Sequence, residues 1–282
     1  MITSISVLGL GLMGRSMARL LGTAGWNVSG WNRSQLSEDL TQDIPLYHSL
    51  EDAAHADACL LMVTDSQAVD TLLGQLEPNL CAGQVVLDMG TSEPDRSKAH
   101  AKRLAAKGIG WVDAPVSGGP EGAVAGTLAI MAGGTEVDFA RVQPFLDVLG
   151  GTVTHVGGPG MGHALKVINQ LIVGLVIEAV AEGLTLAEKA GIDPILVQQA
   201  LKDGFADSKI LQIHGTRMIN RSYVPGGKVK SQLKDLQMAL DMATTTSTKL
   251  PHLESTTALY ETLMTRGDGE LDHSALHKMF WS

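Results

Sequence analysis

A glycine-rich turn near the amino terminus constrains the fold more than any other feature of this 282-residue sequence. Residues 2–8 are apolar and β-prone, and a helical pattern over residues 12–24 follows the turn. The turn itself consists of Gly9, Leu10, Gly11, Leu12, Met13 and Gly14, with the spacing GxGxxG. Between a strand and a helix, such glycines allow a tight turn, a close approach to a pyrophosphate and close helix–strand packing. The turn therefore predicts a dinucleotide site at the helix N-terminus, with a ligand-free βα turn as the alternative.

Strands and helices alternate through the first half of the chain. Short β-prone runs occupy residues 2–8, 27–31, 58–63, 84–88 and 109–113. Helical patterns occupy residues 12–24, 66–74 and 93–107, and two further short strands at 128–132 and 152–155 flank a helical pattern at 136–149. This alternation predicts an α/β fold, a Rossmann-type doubly wound parallel sheet with helices on both faces.

The second half of the chain is helical throughout. A Gly-Gly-Pro-Gly segment at residues 157–160 precedes a long helical pattern over residues 163–190, which Gly191 and Pro194 end. Further helical patterns occupy residues 194–202, 209–220, 228–246, 251–265 and 274–280. The pattern predicts a dinucleotide-binding domain over residues 1–160 and an all-helical domain over residues 161–282. The long helix, about 42 Å at 1.5 Å per residue, is expected to cross between two domains or two subunits.

The end of the second predicted strand bears on the choice of dinucleotide. An NAD site places a carboxylate there for the ribose 2′-hydroxyl, whereas this chain has Asn32, Arg33 and Ser34. A guanidinium suits a 2′-phosphate, and the amide and hydroxyl can hydrogen-bond to it. The segment therefore predicts NADP(H) in preference to NAD(H), with NAD still possible. The alternative is that Arg33 is a solvated turn residue.

Two other segments carry candidate site residues. Ser117, Gly118 and Gly119 follow the strand at residues 109–113, and their hydroxyl and backbone N–H groups suit a carboxylate, unless the segment is only a flexible turn. Lys166, Asn169 and Gln170 share one face of the long helix amid apolar residues, which favours a site over an exposed polar stripe. By itself, the pair Lys234 and Asp235 in a later helix is expected to be a charge pair on a solvated face.

Composition excludes several classes of function. The formal net charge of −9 argues against general nucleic-acid binding and against an anionic membrane surface. The longest uninterrupted apolar stretch, residues 171–177, is too short to span a bilayer. Cys59 and Cys81 lie in apolar runs, which predicts buried free thiols, and with the absence of a leader pattern this favours a cytoplasmic protein. The histidines show no metal-ligand spacing, so no catalytic metal is predicted.

Taken together, these motifs resemble the β-hydroxyacid dehydrogenase family. That family includes 3-hydroxyisobutyrate dehydrogenases, tartronate semialdehyde reductases and glyoxylate/succinic semialdehyde reductases. The resemblance covers nearly the whole chain and rests on segments 9–14, 113–119, 162–166 and 234–236 in family order, with residues 88–94 similar to the family's loop beside the nicotinamide.

The resemblance implies a role for each matching position. Lys166 corresponds to the catalytic lysine, acting as general acid or base, and Asn169 or Gln170 to the group that orients the substrate oxygen. Ser117, Gly118 and Gly119 match the loop that holds the substrate carboxylate. The positions that match cofactor contacts are Val63, Thr64, Thr91 and Lys234. Many members have Lys-x-x-Asn-Asn, so Gln170 is a departure, and it looks more like the tartronate semialdehyde reductases, as does the segment 272–276.

The implied function is hydride transfer between NADP(H) and a small β-hydroxy acid or semialdehyde. The substrate would be a carboxylate-bearing hydroxy acid or aldehyde of the 3-hydroxyisobutyrate or 2-hydroxy-3-oxopropionate type. Two alternative functions remain. The first is an imine-reductase-like NADPH enzyme, but such enzymes usually lack the lysine that this chain has at Lys166. The second is a non-catalytic nucleotide-binding interaction module, and the presence of residues 117–119 together with Lys166 argues against it. The apolar helices of the second half predict a homodimer or homotetramer assembled through the helical domain.

Overall fold

Five parallel strands form the centre of the sheet in the first half of the chain. The computed structural model describes residues 2–280, and these strands lie in the order β2-β1-β3-β4-β5. They are β1 (Ser4–Leu8), β2 (Asn27–Trp31), β3 (Ala58–Leu61), β4 (Val85–Asp88) and β5 (Gly110–Asp113). Because β1 has β2 on one side and β3 on the other, the strand order reverses at β1. The crevice at the carboxyl end of β1 is where ligands bind in open α/β sheets.

Three further strands extend the sheet beyond β5, and one of them adds antiparallel pairing to the predicted parallel sheet. They are β6 (Val116–Ser117), β7 (Leu128–Gly134) and β8 (Gly150–Gly157). Strand β7 runs antiparallel to β5 and β6 and parallel to β8. The fourteen residues between β5 and β7 contain β6 and the seven-residue helix α6, and the chain then enters β7 in the direction opposite to β5. The Rossmann-type α/β class is confirmed, with a parallel-dominated sheet.

Helices cover both faces of this sheet. The helices are α1 (Leu12–Thr23), α2 (Glu38–Thr41), α3 (Leu50–Ala53), α4 (Ser66–Leu76), α5 (Pro94–Ala105), α6 (Gly119–Ala125) and α7 (Glu136–Leu149), with a short 3-10 helix at Glu77–Asn79. Alternate strand residues pack in opposite directions: Leu60 joins the apolar core that contains Met17 and Phe145, whereas Leu61 joins the core that contains Leu73 and Leu104. The sheet is therefore doubly wound, as the alternation of elements predicts.

The rest of the chain is helical. It contains α8 (Met161–Lys189), α9 (Pro194–Leu201), α10 (Lys209–Ile219), α11 (Val229–Thr245), α12 (Pro251–Thr265) and a 3-10 helix at His273–Met279. That last segment was expected to be an α-helix, and the carboxylate of Asp272 caps its start. In the described part of this half, strand pairing is limited to an isolated bridge between Lys228 and Asp272. The core gathers Ile177, Leu236 and Tyr260 around α8, α11 and α12.

Contacts divide the chain into a first unit that ends at Lys166 and a second unit that begins at Val167. This division lies inside α8, a few residues after the boundary expected at residue 160. The first turn of α8 therefore belongs with the sheet, and the remainder of the helix belongs with the helical unit.

Two expectations from composition need correction. The apolar character of α8 continues well past residues 171–177, so the helix is long and apolar enough, by length and composition alone, to cross a membrane. Cys81 is exposed, because it lies in the turn before β4, whereas Cys59 is a buried free thiol within β3. Burial raises the pKa of the Cys59 thiol to about 11, which keeps that group protonated and unreactive.

Candidate active site

The glycine-rich turn lies at the carboxyl end of β1, and two of its glycines are sterically required. Gly9 has φ +101°, and a Cβ there would meet the carbonyl oxygen of Met62. A Cβ at Gly14 would meet the carbonyl oxygen of Gly9. At Gly11, the N-cap residue of α1, a Cβ would enter open space. The first N–H groups of α1 therefore face room for a phosphate, which fits the pyrophosphate of a dinucleotide.

The remaining residues of the turn differ in exposure. Leu10 is fully buried, so its side chain belongs to the core, and Leu12 is exposed.

The N–H group of Leu10 donates to Oδ1 of Asn32 at 2.9 Å, and Nδ2 of Asn32 donates to the carbonyl oxygen and Oγ of Ser34. Asn32 therefore ties the glycine-rich turn to the end of β2. Of the three residues expected to bind a 2′-phosphate, the exposed cation of Arg33 is the one whose charge favours it.

The candidate residues after β3 and β4 lie at the same edge of the sheet. Val63 and Thr64 follow β3, and Thr91 follows β4. Oγ1 of Thr64 donates to Asp65, whose other carboxylate oxygen caps α4 by accepting from the N–H group of Ala68 at 2.9 Å. Because parallel strands end together, these segments and the glycine-rich turn share the carboxyl edge of the first unit.

Ser117, Gly118 and Gly119 form a strand-to-helix junction and not the flexible turn that was the alternative. Ser117 pairs with Ala129 in the sheet, and α6 begins at Gly119. Gly118 has φ +134° and Gly119 has φ +67°, conformations that residues with a Cβ rarely adopt. Helix α6 was missed because seven residues that contain two glycines and a proline carry a weak helical signal.

The first turn of α8 is fastened to the ends of two parallel strands. Asp113, the last residue of β5, accepts from the N–H group of Gly160 at 2.6 Å and from that of His163 at 2.9 Å. Nε2 of His163 lies 3.1 Å from Oδ2 of Asp88, the last residue of β4. A Cβ at Gly162 would meet the carbonyl oxygens of Asp113 and Met131. The helix start therefore has little freedom to shift against the sheet.

Three buried titratable groups, Asp88, Asp113 and His163, hold the start of α8 against the sheet. Burial would raise the pKa of Asp88, but the charge and hydrogen bond of His163, with hydrogen bonds from Ser92 and Gly90, outweigh burial and lower it. Burial dominates at Asp113 and raises its pKa, although His163 and Gly160 oppose that shift. Sequence reasoning missed this cluster, whose only early signal was an aspartate at the end of each of two neighbouring predicted strands.

Lys166 stands one turn beyond His163 on α8, at the end of the first unit. Its side chain is only 7% exposed, so the alternative of a solvated polar stripe does not hold for this residue. A buried lysine next to a junction of fixed geometry, at the carboxyl edge of the sheet, is typical of a functional group.

The second unit holds the other candidate residues in one hydrogen-bonded group. Nε2 of Gln170 donates to Oδ2 of Asp235 at 2.8 Å and to Oε1 of Gln232 at 3.4 Å, while Oε1 of Gln170 accepts from Asn169 at 2.9 Å. Nζ of Lys234 lies 3.1 Å from Oδ1 of Asp235. The expectation of a solvated charge pair is wrong for Asp235, which is 4% exposed because α8 packs over it within this unit.

Two family models match consecutive parts of the chain. Residues 4–157 match the NAD binding domain of 6-phosphogluconate dehydrogenase, and residues 160–280 match the NAD-binding model of NADP-dependent 3-hydroxyisobutyrate dehydrogenase. The glycine-rich turn, the 117–119 junction and the ends of β3 and β4 all fall within the first match. The residues Lys166, Asn169, Gln170 and Lys234 fall within the second.

Individual proteins are similar over nearly the whole chain. The sequence is 39% identical over 279 residues to 2-hydroxy-3-oxopropionate reductase of Escherichia coli (strain K12), covering 96% of this chain and 95% of that protein. It is 32% identical over 283 residues to 2-(hydroxymethyl)glutarate dehydrogenase of Eubacterium barkeri, covering 98% and 94%. The solved structure of 3-hydroxyisobutyrate dehydrogenase from Salmonella typhimurium matches with a TM-score of 0.89 at 27% identity, covering 98% and 99%. The chain thus belongs to the β-hydroxyacid dehydrogenase family and is an NAD(P)-dependent oxidoreductase.

Proposed function

We propose that this protein is an NADP(H)-preferring reductase of a small carboxylate-bearing aldehyde of the 2-hydroxy-3-oxopropionate type, with Lys166 as general acid and base. The observation that carries the proposal is the burial of Lys166 one turn beyond a helix start that Asp88 and Asp113 fasten to the carboxyl edge of the sheet. The substrate class is supported by the 39% identity to 2-hydroxy-3-oxopropionate reductase along almost the full chain.

Each candidate residue is assigned one role in the proposed reaction. When bound, the nicotinamide cofactor supplies the hydride for carbonyl reduction or accepts it in alcohol oxidation. The ammonium group of Lys166 donates a proton to the carbonyl oxygen as that oxygen gains negative charge, and its neutral amine takes the hydroxyl proton in the reverse direction. The hydroxyl of Ser117 and the N–H groups of Gly118 and Gly119 bind the substrate carboxylate. The amide pair Asn169 and Gln170 orients the reacting oxygen.

The substrate proposal is tested with a panel of four aldehydes. The panel contains 2-hydroxy-3-oxopropionate, the semialdehyde of 3-hydroxyisobutyrate, succinic semialdehyde and glyoxylate, each with NADPH. We expect the highest kcat/KM for 2-hydroxy-3-oxopropionate, because the 39% identical relative is named as the reductase of this acid. A cyclic imine without a carboxylate serves as the control substrate. Reduction of the imine in preference to every acid would contradict the proposal.

Arg33→Ala is expected to weaken NADPH binding about ten- to hundredfold and to leave NADH binding nearly unchanged. A charge-assisted hydrogen bond to phosphate contributes about 1.5–3 kcal/mol, and only NADPH has the 2′-phosphate. Dissociation constants of both cofactors, measured by calorimetry, provide the comparison. Arg266→Ala, which removes an exposed arginine of the second unit, is the control for a change in overall charge. Equal losses for both cofactors in Arg33→Ala would reject the role given to Arg33.

Gly119→Ala is expected to raise the KM of the acid substrate about tenfold while the Kd of NADPH stays unchanged. The methyl group would lie beside the N–H groups proposed for the carboxylate, and the residue has φ +67°. Gly83→Ala is a matched control, since Gly83 also has a left-handed φ of +93° but lies in open space in a distant turn. Backbone strain alone would affect both variants alike, so an unchanged KM in Gly119→Ala would remove this residue from the substrate site.

The second unit is proposed to assemble the protein into a dimer or a multiple of a dimer. Several large apolar side chains of this unit are exposed in the single chain: Ile168, Ile172, Leu186, Ile195, Leu196 and Phe205. Exposed apolar groups in such number favour burial against another copy, in a closed symmetric assembly. Light scattering at micromolar concentration is expected to give at least twice the chain mass of 29.7 kDa. A monomeric mass would refute this proposal.

A further inference from the structure

Two buried side chains of α11, Asp235 and Gln232, contact Gln170, although the proposed reaction assigns no role to either of them. Asp235 is 4% exposed and Gln232 is 1% exposed. Nε2 of Gln170 donates to Oδ2 of Asp235 at 2.8 Å and to Oε1 of Gln232 at 3.4 Å. All three residues lie in the second unit, so their arrangement is a property of that unit alone.

The contact with Asp235 decides which end of the Gln170 amide faces α11. A carboxylate only accepts hydrogen bonds, and Nζ of Lys234 forms an ion pair with the other oxygen of Asp235 at 3.1 Å. If the amide were reversed, Oε1 of Gln170 would lie against Oδ2 of Asp235, with one acceptor against another. The nitrogen of Gln170 must therefore face α11.

Gln232 imposes the same orientation through a separate hydrogen bond. Nε2 of Gln232 donates to the main-chain oxygen of Gln170 at 2.9 Å. A main-chain oxygen only accepts, so the side-chain oxygen of Gln232 is the atom that faces the amide nitrogen of Gln170. This close approach needs a glycine at position 174 of α8, because a Cβ at Gly174 would lie 3.0 Å from Nε2 of Gln232.

The oxygen of the Gln170 amide consequently faces away from α11. Oε1 accepts from Nδ2 of Asn169 at 2.9 Å, and a carbonyl oxygen has two lone pairs. Lys166 lies one helical turn before Gln170, on the same face of α8. A group held by Oε1 on this face must be a hydrogen-bond donor, which an ammonium or a hydroxyl group is and the carbonyl oxygen of an aldehyde is not.

We propose that Asp235 and Gln232 are positioning residues that make Gln170 a hydrogen-bond acceptor toward the reacting groups. They act only through Gln170, and the proposal rests on the role in orientation proposed for that residue. The oxygen of Gln170 then holds the hydroxyl group of the alcohol or the ammonium group of Lys166. The carbonyl oxygen of the aldehyde is met by Lys166 and not by Gln170.

The orientation of the amide is tested first by NMR, without any measurement of activity. In protein labelled with nitrogen-15 at its glutamine side chains, the Nε2 protons of Gln170 are expected to exchange with solvent at least about tenfold more slowly than those of the exposed Gln199. Gln170→Ala assigns the signal by its loss, and Asp235→Ala is expected to remove most of the protection. Exchange as fast as at Gln199 in the native protein overturns the proposal.

The acceptor role is tested by moving the negative charge from position 235 to position 170. Gln170→Glu alone places two carboxylates in contact, and we expect kcat/KM to fall about ten- to hundredfold. With Asp235→Asn added, the new amide donates to the new carboxylate, which still presents an oxygen on the face of Lys166. We expect kcat/KM of the double variant to recover to within about fivefold of the native value.

The double variant also excludes a role as a purely structural contact between α8 and α11. Its thermal midpoint reports the stability of the contact, and its Kd for NADPH reports any displacement of Lys234. Residue 170 of this variant cannot donate from an amide. Recovery of the native thermal midpoint and Kd with kcat/KM as low as in Gln170→Ala therefore overturns the acceptor role.

The pH dependence of alcohol oxidation by the double variant identifies the donor. If the donor is the ammonium of Lys166, the nearby carboxylate stabilises it, and the pH midpoint of kcat/KM rises by about one unit. If the donor is the hydroxyl group, the midpoint stays and the KM of the alcohol changes. Asp235→Asn alone is the control for loss of the charge at position 235. A midpoint and a KM that both equal those of this control overturn the proposal, because residue 170 then touches neither group.

Comparison with Gln170→Ala separates this proposal from the proposed function. Near-native activity in Gln170→Ala overturns the role of Gln170 and this proposal with it, whereas the role of Lys166 is tested by its own variants. A loss of activity in Gln170→Ala without recovery in the double variant overturns the acceptor role and leaves the proposed function standing.

Discussion

Replacing Lys166 by alanine is expected to lower kcat about 10²–10⁴-fold, the usual contribution of a general acid or base. The proposed role is proton transfer to the substrate oxygen, so the loss falls on the chemical step. The glycine-rich turn and Arg33 are the residues proposed to hold the cofactor, so the Kd of NADPH should change little. A steady-state assay of the variant with 2-hydroxy-3-oxopropionate, together with NADPH titration, measures both quantities.

Two further variants make this result specific. Lys166→Arg keeps a positive charge but cannot release its proton, so alcohol oxidation should remain as slow as in Lys166→Ala. Lys249→Ala removes an exposed lysine and is expected to leave kcat unchanged. Near-native turnover by Lys166→Ala would mean that another residue transfers the proton.

Gly162→Ala is expected to destabilise the protein by about 1–3 kcal/mol and to reduce activity at the same time. The new methyl group would be placed against the carbonyl oxygens of Asp113 and Met131, and 2.9 Å from Oδ2 of Asp113. Two of these contacts are with backbone, which cannot move aside as a side chain would. The first turn of α8 must then shift, and Lys166 moves with it. Denaturant unfolding measures the stability change, and kcat reports the displacement of Lys166.

Gly74→Ala provides the matched control in the same unit. Gly74 lies in the exposed part of α4, and a Cβ there meets no neighbouring atom. The same substitution should therefore stabilise the protein by up to about 1 kcal/mol through helix propensity. Equal stability changes for Gly162→Ala and Gly74→Ala would show that the start of α8 is not tightly packed against the sheet.

The main elements of the fold could be predicted from sequence because their patterns are local. The strands that become β1 to β5 are short apolar runs between helical periodicities, and the glycine-rich turn marks the first βα connection. The elements that were missed are too short to show a period, as with α2 and α3 of four residues each. The antiparallel direction of β7 depends on how a fourteen-residue connection returns, which composition does not indicate.

The candidate site was predictable only where residues lie close together in the sequence. Gly9–Gly14 and Lys166–Gln170 each form one local motif. In contrast, His163 meets Asp88 across 75 positions, and Gln170 meets Asp235 across 65. Such long-range pairs show no spacing rule in a single sequence. That is why Asp235 was expected on a solvated face and why the fastening of α8 by Asp88 and Asp113 went unpredicted.

The most direct test of the central claim is the rate of hydride transfer in a single turnover. Enzyme saturated with NADPH is mixed rapidly with 2-hydroxy-3-oxopropionate, and oxidation of the bound nicotinamide is followed in the native protein and in Lys166→Ala. We predict a fast phase in the native protein and a phase about 10²–10⁴-fold slower in the variant, with the same amount of bound NADPH. Hydride transfer at the native rate in Lys166→Ala, or no transfer to the aldehyde in the native protein, would contradict the account.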